Sequence, residues 1–181
     1  MNSGAGSGSG SSLGTSPEPR RCWISVGSNV ERDASIRGAI DDLHHAYGAL
    51  VISPVYETEA VGFDGDAFYN LVVGIRSEQT AAEIRRTLRA IEEGRGRLRE
   101  AERFAPRTLD LDLLTWGDAV GVIDGYDLPR DEILKYAFVL APLADVAPDE
   151  RHPADGRSYA QLWREMKPSA SPLHRVALAD D

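Results

Sequence analysis

A ferredoxin-like α+β fold built on one antiparallel sheet, with helices on one face and a site on the other and with C-terminal elements making an α/β/α-type three-layer arrangement, is what the sequence predicts. Three observations predict it. Apolar residues alternate at period two over Phe68 to Ile75 and over Leu109 to Leu113, the pattern of half-buried strands. Other stretches carry apolar residues at helical spacing, as Ile36, Ile40, Leu43 and Tyr47, and again as Ile84, Leu88 and Ile91. Along the chain the order is strand, helix, strand, strand, helix, strand, which is that of a ferredoxin-like sheet. A length of 181 residues, 42% hydrophobic and 27% charged, suits one globular domain with tails.

Residues 1–20 are mostly Gly, Ser, Ala, Thr and Pro; they offer little to bury and lack the charged-then-apolar pattern of a signal peptide, so a disordered tail is expected. Cys22 to Val26 reads as the first strand, ended by Gly27, Ser28 and Asn29. Asp33 is the expected N-cap of the first helix and Gly48 its stop, with His44 and His45 placed to complement the helix dipole. Val51 to Val61 is a second strand, confined to an edge or a bulge because Pro54 lacks a backbone donor. Gly62 to Asp66 is a loop. In the next strand Tyr69, Leu71, Val73 and Ile75 face the core, leaving Phe68, Asn70 and Val72 on the other face. An aromatic and an amide there suit stacking on, and hydrogen bonding to, a flat heterocycle, and equally suit ordinary packing. Thr80 to Glu83 forms a capping box for the second helix, expected to stop near Gly94. A hairpin-like region runs from Trp116 to Leu128, an apolar segment follows at Phe138 to Leu140 and Pro142 to Pro148, and Ser158 to Met166 is a last short helix. The expected division is a tail at 1–20, a single domain at 21–170 and a loose C-terminus at 171–181.

The chemistry concentrates in RGRLREAERFAPRTLDLDLL, Arg95 to Leu114. Thr108, Asp110 and Asp112 alternate with Leu109, Leu111 and Leu113, so the leucines face a core and the carboxylates do not. Alternating Leu and Asp is also what any half-exposed strand shows. Two aspartates side by side repel unless a cation sits between them, and oxygen ligands of this kind suit a hard cation such as Mg²⁺. Upstream lie Arg95, Arg97, Arg99, Arg103 and Arg107, five of 20 basic residues within thirteen positions of a chain whose net charge is -9. Guanidinium forks match phosphate oxygens, so the pattern points to a metal-complexed polyphosphate.

The acidic balance argues against a nonspecific nucleic-acid binder. No apolar run approaches the ~20 residues that cross a bilayer. Cys22 is the only cysteine, which excludes an internal disulfide and a cysteine-based zinc site and suits a reducing cytoplasm.

Over residues 22 to 165 the sequence resembles the 6-hydroxymethyl-7,8-dihydropterin pyrophosphokinases of folate biosynthesis. The motifs that carry the resemblance are PRTLDLDLL at Pro106 to Leu114, the GRxRxAER spacing at Gly96 to Arg103, Gly27-Ser28-Asn29 and Phe68-Tyr69-Asn70. The resemblance implies transfer of the β,γ-diphosphoryl unit of ATP to a pterin hydroxymethyl group, with release of AMP and two Mg²⁺ ions. By the same resemblance Asp110 and Asp112 hold the metals, and Arg97 and Arg107 handle the phosphates in catalysis. Glu92, Arg97, Arg99, Arg103, Arg107, Thr108 and Arg130 belong to the nucleotide site. Phe68 and Phe138 sandwich the pterin, Asn70 reads its edge, and the backbone from Thr58 to Val61 completes that pocket. The loops at Gly62 to Asp66 and Arg97 to Phe104 would close over substrates. Phe104, Ala105, Arg130 and Tyr136 depart from the family pattern, where Trp, Gly, His and Arg are usual. A cytoplasmic monomer acting on small molecules, without nucleic-acid or membrane partners, is expected. The competing readings are a ferredoxin-like nucleotide or RNA-binding module, a two-metal phosphoesterase, and a weakly active paralogue with another pterin preference.

Overall fold

The computed structural model of the protein describes residues 18–59, 67–97 and 109–178. Strands β1 (Arg20–Ser28), β2 (Val51–Ile52), β3 (Val55–Thr58), β4 (Phe68–Ser77), β5 (Asp110–Trp116) and β8 (His174–Val176) form one sheet in the order β5-β1-β4-β3-β8, with β2 also on β4. Every pairing is antiparallel. Helices α1 (Arg32–Tyr47) and α2 (Ala81–Arg97) cover one face. There Cys22, Ile24 and Val26 of β1, with Leu71, Val73, Leu111 and Leu113 from the alternating stretches, meet Ile36, Leu43, Ile84 and Leu88 from the stretches of helical spacing.

The opposite face is not wholly free: the C-terminal elements expected to make a third layer cover part of it. Trp23, Val72 and Leu114 project there, and leaving them in water would forfeit several kcal/mol, at ~25 cal/mol per Å² of apolar surface. Helices α3 (Glu132–Lys135), α4 (Ala137–Val146) and α5 (Tyr159–Met166) cover them with Ile133, Val139, Leu140, Leu143, Tyr159 and Leu162. The result is three layers, in which these helices cover the apolar half of the second face and leave its polar half, around Gly27, Asn70, Asp110 and Asp112.

Four expectations are corrected. Helix α1 begins at Arg32 after a left-handed Glu31 (φ 42), which puts Asp33 in the first turn rather than at the N-cap. Helix α2 does not stop near Gly94 but continues to Arg97. Each interior glycine costs about 1 kcal/mol, but Arg95 Nε bonds Asp42 Oδ2 at 2.6 Å and Glu92 Oε1 accepts the Leu111 N–H at 2.7 Å, which ties this turn to α1 and β5. Strand β2 ends before Pro54 and β3 starts after it, so the single strand expected over Val51 to Val61 is two, and Val61 lies outside the described residues. The C-terminus is not loose throughout. His174–Val176 pairs with β3, and Arg175 donates to Tyr56 Oη (2.8 Å) and Asp145 Oδ1 (2.5 Å), while Tyr56 Oη donates to Asp145 Oδ2 (2.5 Å).

His152 adds a pH dependence. It is 2% exposed, its Nδ1 accepts the Ala154 and Asp155 N–H groups at 3.3 and 3.1 Å, and so it must be neutral with the proton on Nε2. Burial, more than any neighbouring charge, lowers its pKa. The unfolded chain therefore takes up a proton near pH 6.5 that the folded chain refuses, and stability is full above that pH and falls as pH drops below it. Thermal melting between pH 7.5 and 5.5 should show this slope in the wild type and a reduced slope in His152→Gln.

Candidate functional site

The polar half of the second face is organised by register. Asp110 stands opposite Gly27 of β1, Gly27 opposite Asn70 of β4, and Asn70 opposite Tyr56 of β3, so one row crosses four strands. In the next row Asp112 stands opposite Ser25 and Ser25 opposite Val72. Strands lie ~4.8 Å apart, which puts the aspartate strand and Asn70 about 10 Å from each other. That gap suits a flat ring at one end and a polyphosphate at the other. Gly27 keeps it open, since a Cβ there would come within 3.2 Å of Asn70 Oδ1.

At the Asn70 end, Asn70 is 8% exposed and its Nδ2 donates to Thr58 Oγ1 at 2.9 Å, while Phe68 pairs in register with Thr58. Three residues singled out in the sequence are thus brought together on adjacent strands. Phe138 lies in the first turn of α4, which packs on β3 and β4; its half-buried ring stacks on Tyr136 at 5.1 Å with an interplanar angle of 14°. Arg32 Nη1 bonds Glu57 Oε2 (2.8 Å) and the Ala67 carbonyl (3.0 Å) beside a groove of about 620 Å³ lined by Asn29, Arg32, Glu57 and Ala67.

At the other end Asp110 and Asp112 are both exposed, side by side on β5. Among the described residues no three or more His, Cys, Asp or Glu gather as a complete metal cage. A pair of carboxylates fits Mg²⁺ in particular, because that ion keeps waters and takes phosphate oxygens beyond one or two protein ligands. Glu92 reaches this end through the outward N–H of Leu111 on the edge strand β5. Arg130 donates to Glu132 Oε1 at 2.5 Å, and its guanidinium lies 4.6 Å from the centre of the Tyr126 ring.

Tyr126 was not singled out in the sequence. It sits on β7 (Tyr126–Leu128), which forms a hairpin with β6 (Gly121–Ile123), and its hydroxyl donates to Asp112 Oδ1 at 3.2 Å. Burial first, and then the Asp112 charge, push the phenol up to about 12, so it remains a donor at neutral pH. No period or motif marks such a residue, because the hairpin brings it to β5 from fourteen positions away. Of the other site residues singled out in the sequence, Val61, Arg99, Arg103, Arg107 and Thr108 lie outside the described residues, as do the expected loop at Gly62 to Asp66, Phe104 and Ala105; Arg97 is described only as the end of α2.

Known proteins bear on this geometry. The sequence model of the family described as 7,8-dihydro-6-hydroxymethylpterin-pyrophosphokinase (HPPK) matches residues 23–148. A protein of Pseudomonas aeruginosa, named 2-amino-4-hydroxy-6-hydroxymethyldihydropteridine pyrophosphokinase, is 36% identical over 152 residues, covering 79% of this chain and 90% of the relative. A Bacillus subtilis protein of the same name is 34% identical over 128 residues, covering 68% of this chain and 76% of the relative. Among solved structures, wild-type Plasmodium falciparum HPPK-DHPS with pterin and p-hydroxybenzoate superposes with a TM-score of 0.66 at 14% identity. That match covers 84% of this chain but 45% of the Plasmodium chain, and at such identity it bears on the fold alone.

Proposed function

The chain belongs to the 7,8-dihydro-6-hydroxymethylpterin-pyrophosphokinase family, and from that membership we infer that it transfers diphosphate from ATP to 6-hydroxymethyl-7,8-dihydropterin in folate biosynthesis. It is a diphosphotransferase with ATP as co-substrate. The pterin hydroxyl oxygen bonds to the β-phosphorus of ATP, the bond from that phosphorus to the α,β-bridging oxygen breaks, AMP leaves, and the hydroxyl proton passes to solvent. The observation that carries the site reading is the row Asp110, Gly27, Asn70 across the uncovered half of the sheet face.

The protein's part in such a reaction is positioning and charge neutralisation. We propose that Asp110 and Asp112 hold two Mg²⁺ ions, which when bound would neutralise the phosphate oxygens around the reacting phosphorus. Asn70, tied to Thr58, would read the pterin edge and fix the ring in its plane. Phe68 and Phe138 would stack on its two faces, with Val61 completing the pocket. Glu92 braces the edge of β5 and so the strand that presents both aspartates. Arg97, Arg99, Arg103, Arg107, Thr108 and Arg130 are proposed for the nucleotide. We also propose a monomer in a reducing cytoplasm, with no nucleic-acid or membrane partner. Among the described residues no helix is long and apolar enough to cross a membrane, and Cys22 is a buried thiol pushed up to about 11 by burial.

Phe138→Ala should weaken pterin binding by ~1–3 kcal/mol, the worth of stacking on a flat ring, and leave ATP binding nearly unchanged. Calorimetry on each ligand separately checks this; an equal loss for both would make Phe138 plain core. The activity itself is tested by incubation with ATP and Mg²⁺, with and without the hydroxymethyl dihydropterin, followed by chromatography for AMP. AMP release that needs the pterin is expected. Equal ATP consumption without it would mean hydrolysis, and none in either case would favour a binding module.

A further inference from the structure

The hairpin of β6 and β7 sends one side chain back to the aspartate strand and holds it from several sides. Its turn uses Asp124 (φ 52) and Gly125 (φ 75), and just past β7 the Arg130 N–H donates to the Leu114 carbonyl at 2.8 Å, which fixes the hairpin beside β5. Over the Tyr126 ring lie two guanidinium groups, Arg85 of α2 at 3.7 Å and Arg130 at 4.6 Å from its centre. The polar atom of this side chain points at the carboxylate of Asp112. Cations over an aromatic face restrain the ring and put positive charge next to the aspartate pair.

We propose that Tyr126 is a positioning residue for Asp112, and through it for the divalent cation that arrives with the nucleotide; this rests on the reading of Asp112 as a metal ligand. The hydroxyl occupies Oδ1 and so sets the rotation of the carboxylate, which leaves Oδ2 for the metal. A hydrogen bond to an exposed carboxylate adds little to folding, since water replaces it at small cost. Its effect on a metal site is larger, because a ligating carboxylate that must be reoriented on binding holds its ion less tightly. Arg85 and Arg130 act at one remove, keeping the ring where its hydroxyl meets Oδ1.

The test is a titration of the full chain with Mn²⁺, read by electron paramagnetic resonance in the presence of α,β-methylene-ATP, for the wild type, Tyr126→Phe and Asp112→Asn. Phenylalanine keeps the ring under both guanidinium groups and removes only the hydroxyl. Tyr126→Phe should weaken Mn²⁺ binding about tenfold. The Mg²⁺ concentration for half-maximal AMP release should rise by a similar factor, with most of kcat recovered at saturating Mg²⁺ and the melting temperature nearly unchanged. If Asp112→Asn binds Mn²⁺ more weakly while Tyr126→Phe matches the wild type in Mn²⁺ affinity and Mg²⁺ dependence, the role of Tyr126 is overturned and the metal reading stands. If Asp112→Asn itself binds Mn²⁺ as the wild type does, the metal reading of Asp112 is what fails.

Discussion

Asp110→Asn and Asp112→Asn should each remove nearly all turnover, roughly a thousandfold or more, while the protein melts at or slightly above the wild-type temperature. The loss is large because a metal bridging the reacting phosphates supplies several kcal/mol of charge stabilisation, and every ~1.36 kcal/mol is tenfold in rate. The stability is kept because both side chains are exposed, on the face that Leu111 and Leu113 turn away from. Like charges at neighbouring positions of one strand face repel each other in the empty protein, so removing one is neutral or mildly stabilising. Asparagine at 112 still offers an oxygen to Tyr126, so the hairpin contact survives. Mg-ATP should raise the melting temperature of the wild type and have little effect on either mutant. Melting with and without Mg-ATP, run alongside AMP release, checks both halves. A variant that melts well below the wild type and still turns over would make the pair structural.

Trp23→Ala should do the reverse. Trp23 is fully buried and donates from Nε1 to Glu150 Oε1 at 2.8 Å; its ring lies on Gly74, where an added Cβ would come within 2.7 Å of it. It is the largest side chain joining the sheet to α4 and α5. Removing it leaves a cavity and an unpaired carboxylate, at a cost of ~3–5 kcal/mol. For a chain of this length that lowers the melting temperature on the order of 10 °C or more. Below the transition AMP release per folded molecule should stay within a few-fold of the wild type, because the aspartate strand keeps its pairing with β1. Calorimetry and activity at 15 °C measure the two. Wild-type melting would mean that the second layer adds nothing to the fold.

These opposite outcomes follow the boundary between what was legible in the sequence and what was not. The strands β4 and β5 were legible because apolar residues recur at alternate positions along both, although β4 buries both its faces, and the same alternation put Asp110, Asp112, Phe68 and Asn70 on a common face. Helix α2 was legible at its start, where Glu83 accepts the Thr80 N–H at 2.8 Å and donates its own N–H to Thr80 Oγ1, but not at its end, where contacts from Arg95 and Glu92 outweigh two glycines. Helix α4 was missed because AFVLAPLADV is apolar almost all round, with Val139 to Leu143 buried in succession, so no period distinguishes it and Pro142 argues against it. Strand β8 is three residues long and held by the Tyr56, Asp145 and Arg175 contacts, which join positions 30 to 119 apart. Tyr126 is a case of the same kind. The periodicity reports which face a residue takes, whereas such contacts depend on where the layers meet.

The diphosphoryl transfer itself is tested most directly by phosphorus NMR of a reaction containing ATP, Mg²⁺ and 6-hydroxymethyl-7,8-dihydropterin. The β and γ phosphorus atoms of ATP should move together into one diphosphate ester of the pterin while the α phosphorus appears as AMP, in equal amounts. ADP with a pterin monophosphate, or AMP with free inorganic pyrophosphate, would contradict transfer of the intact β,γ unit to the pterin hydroxyl.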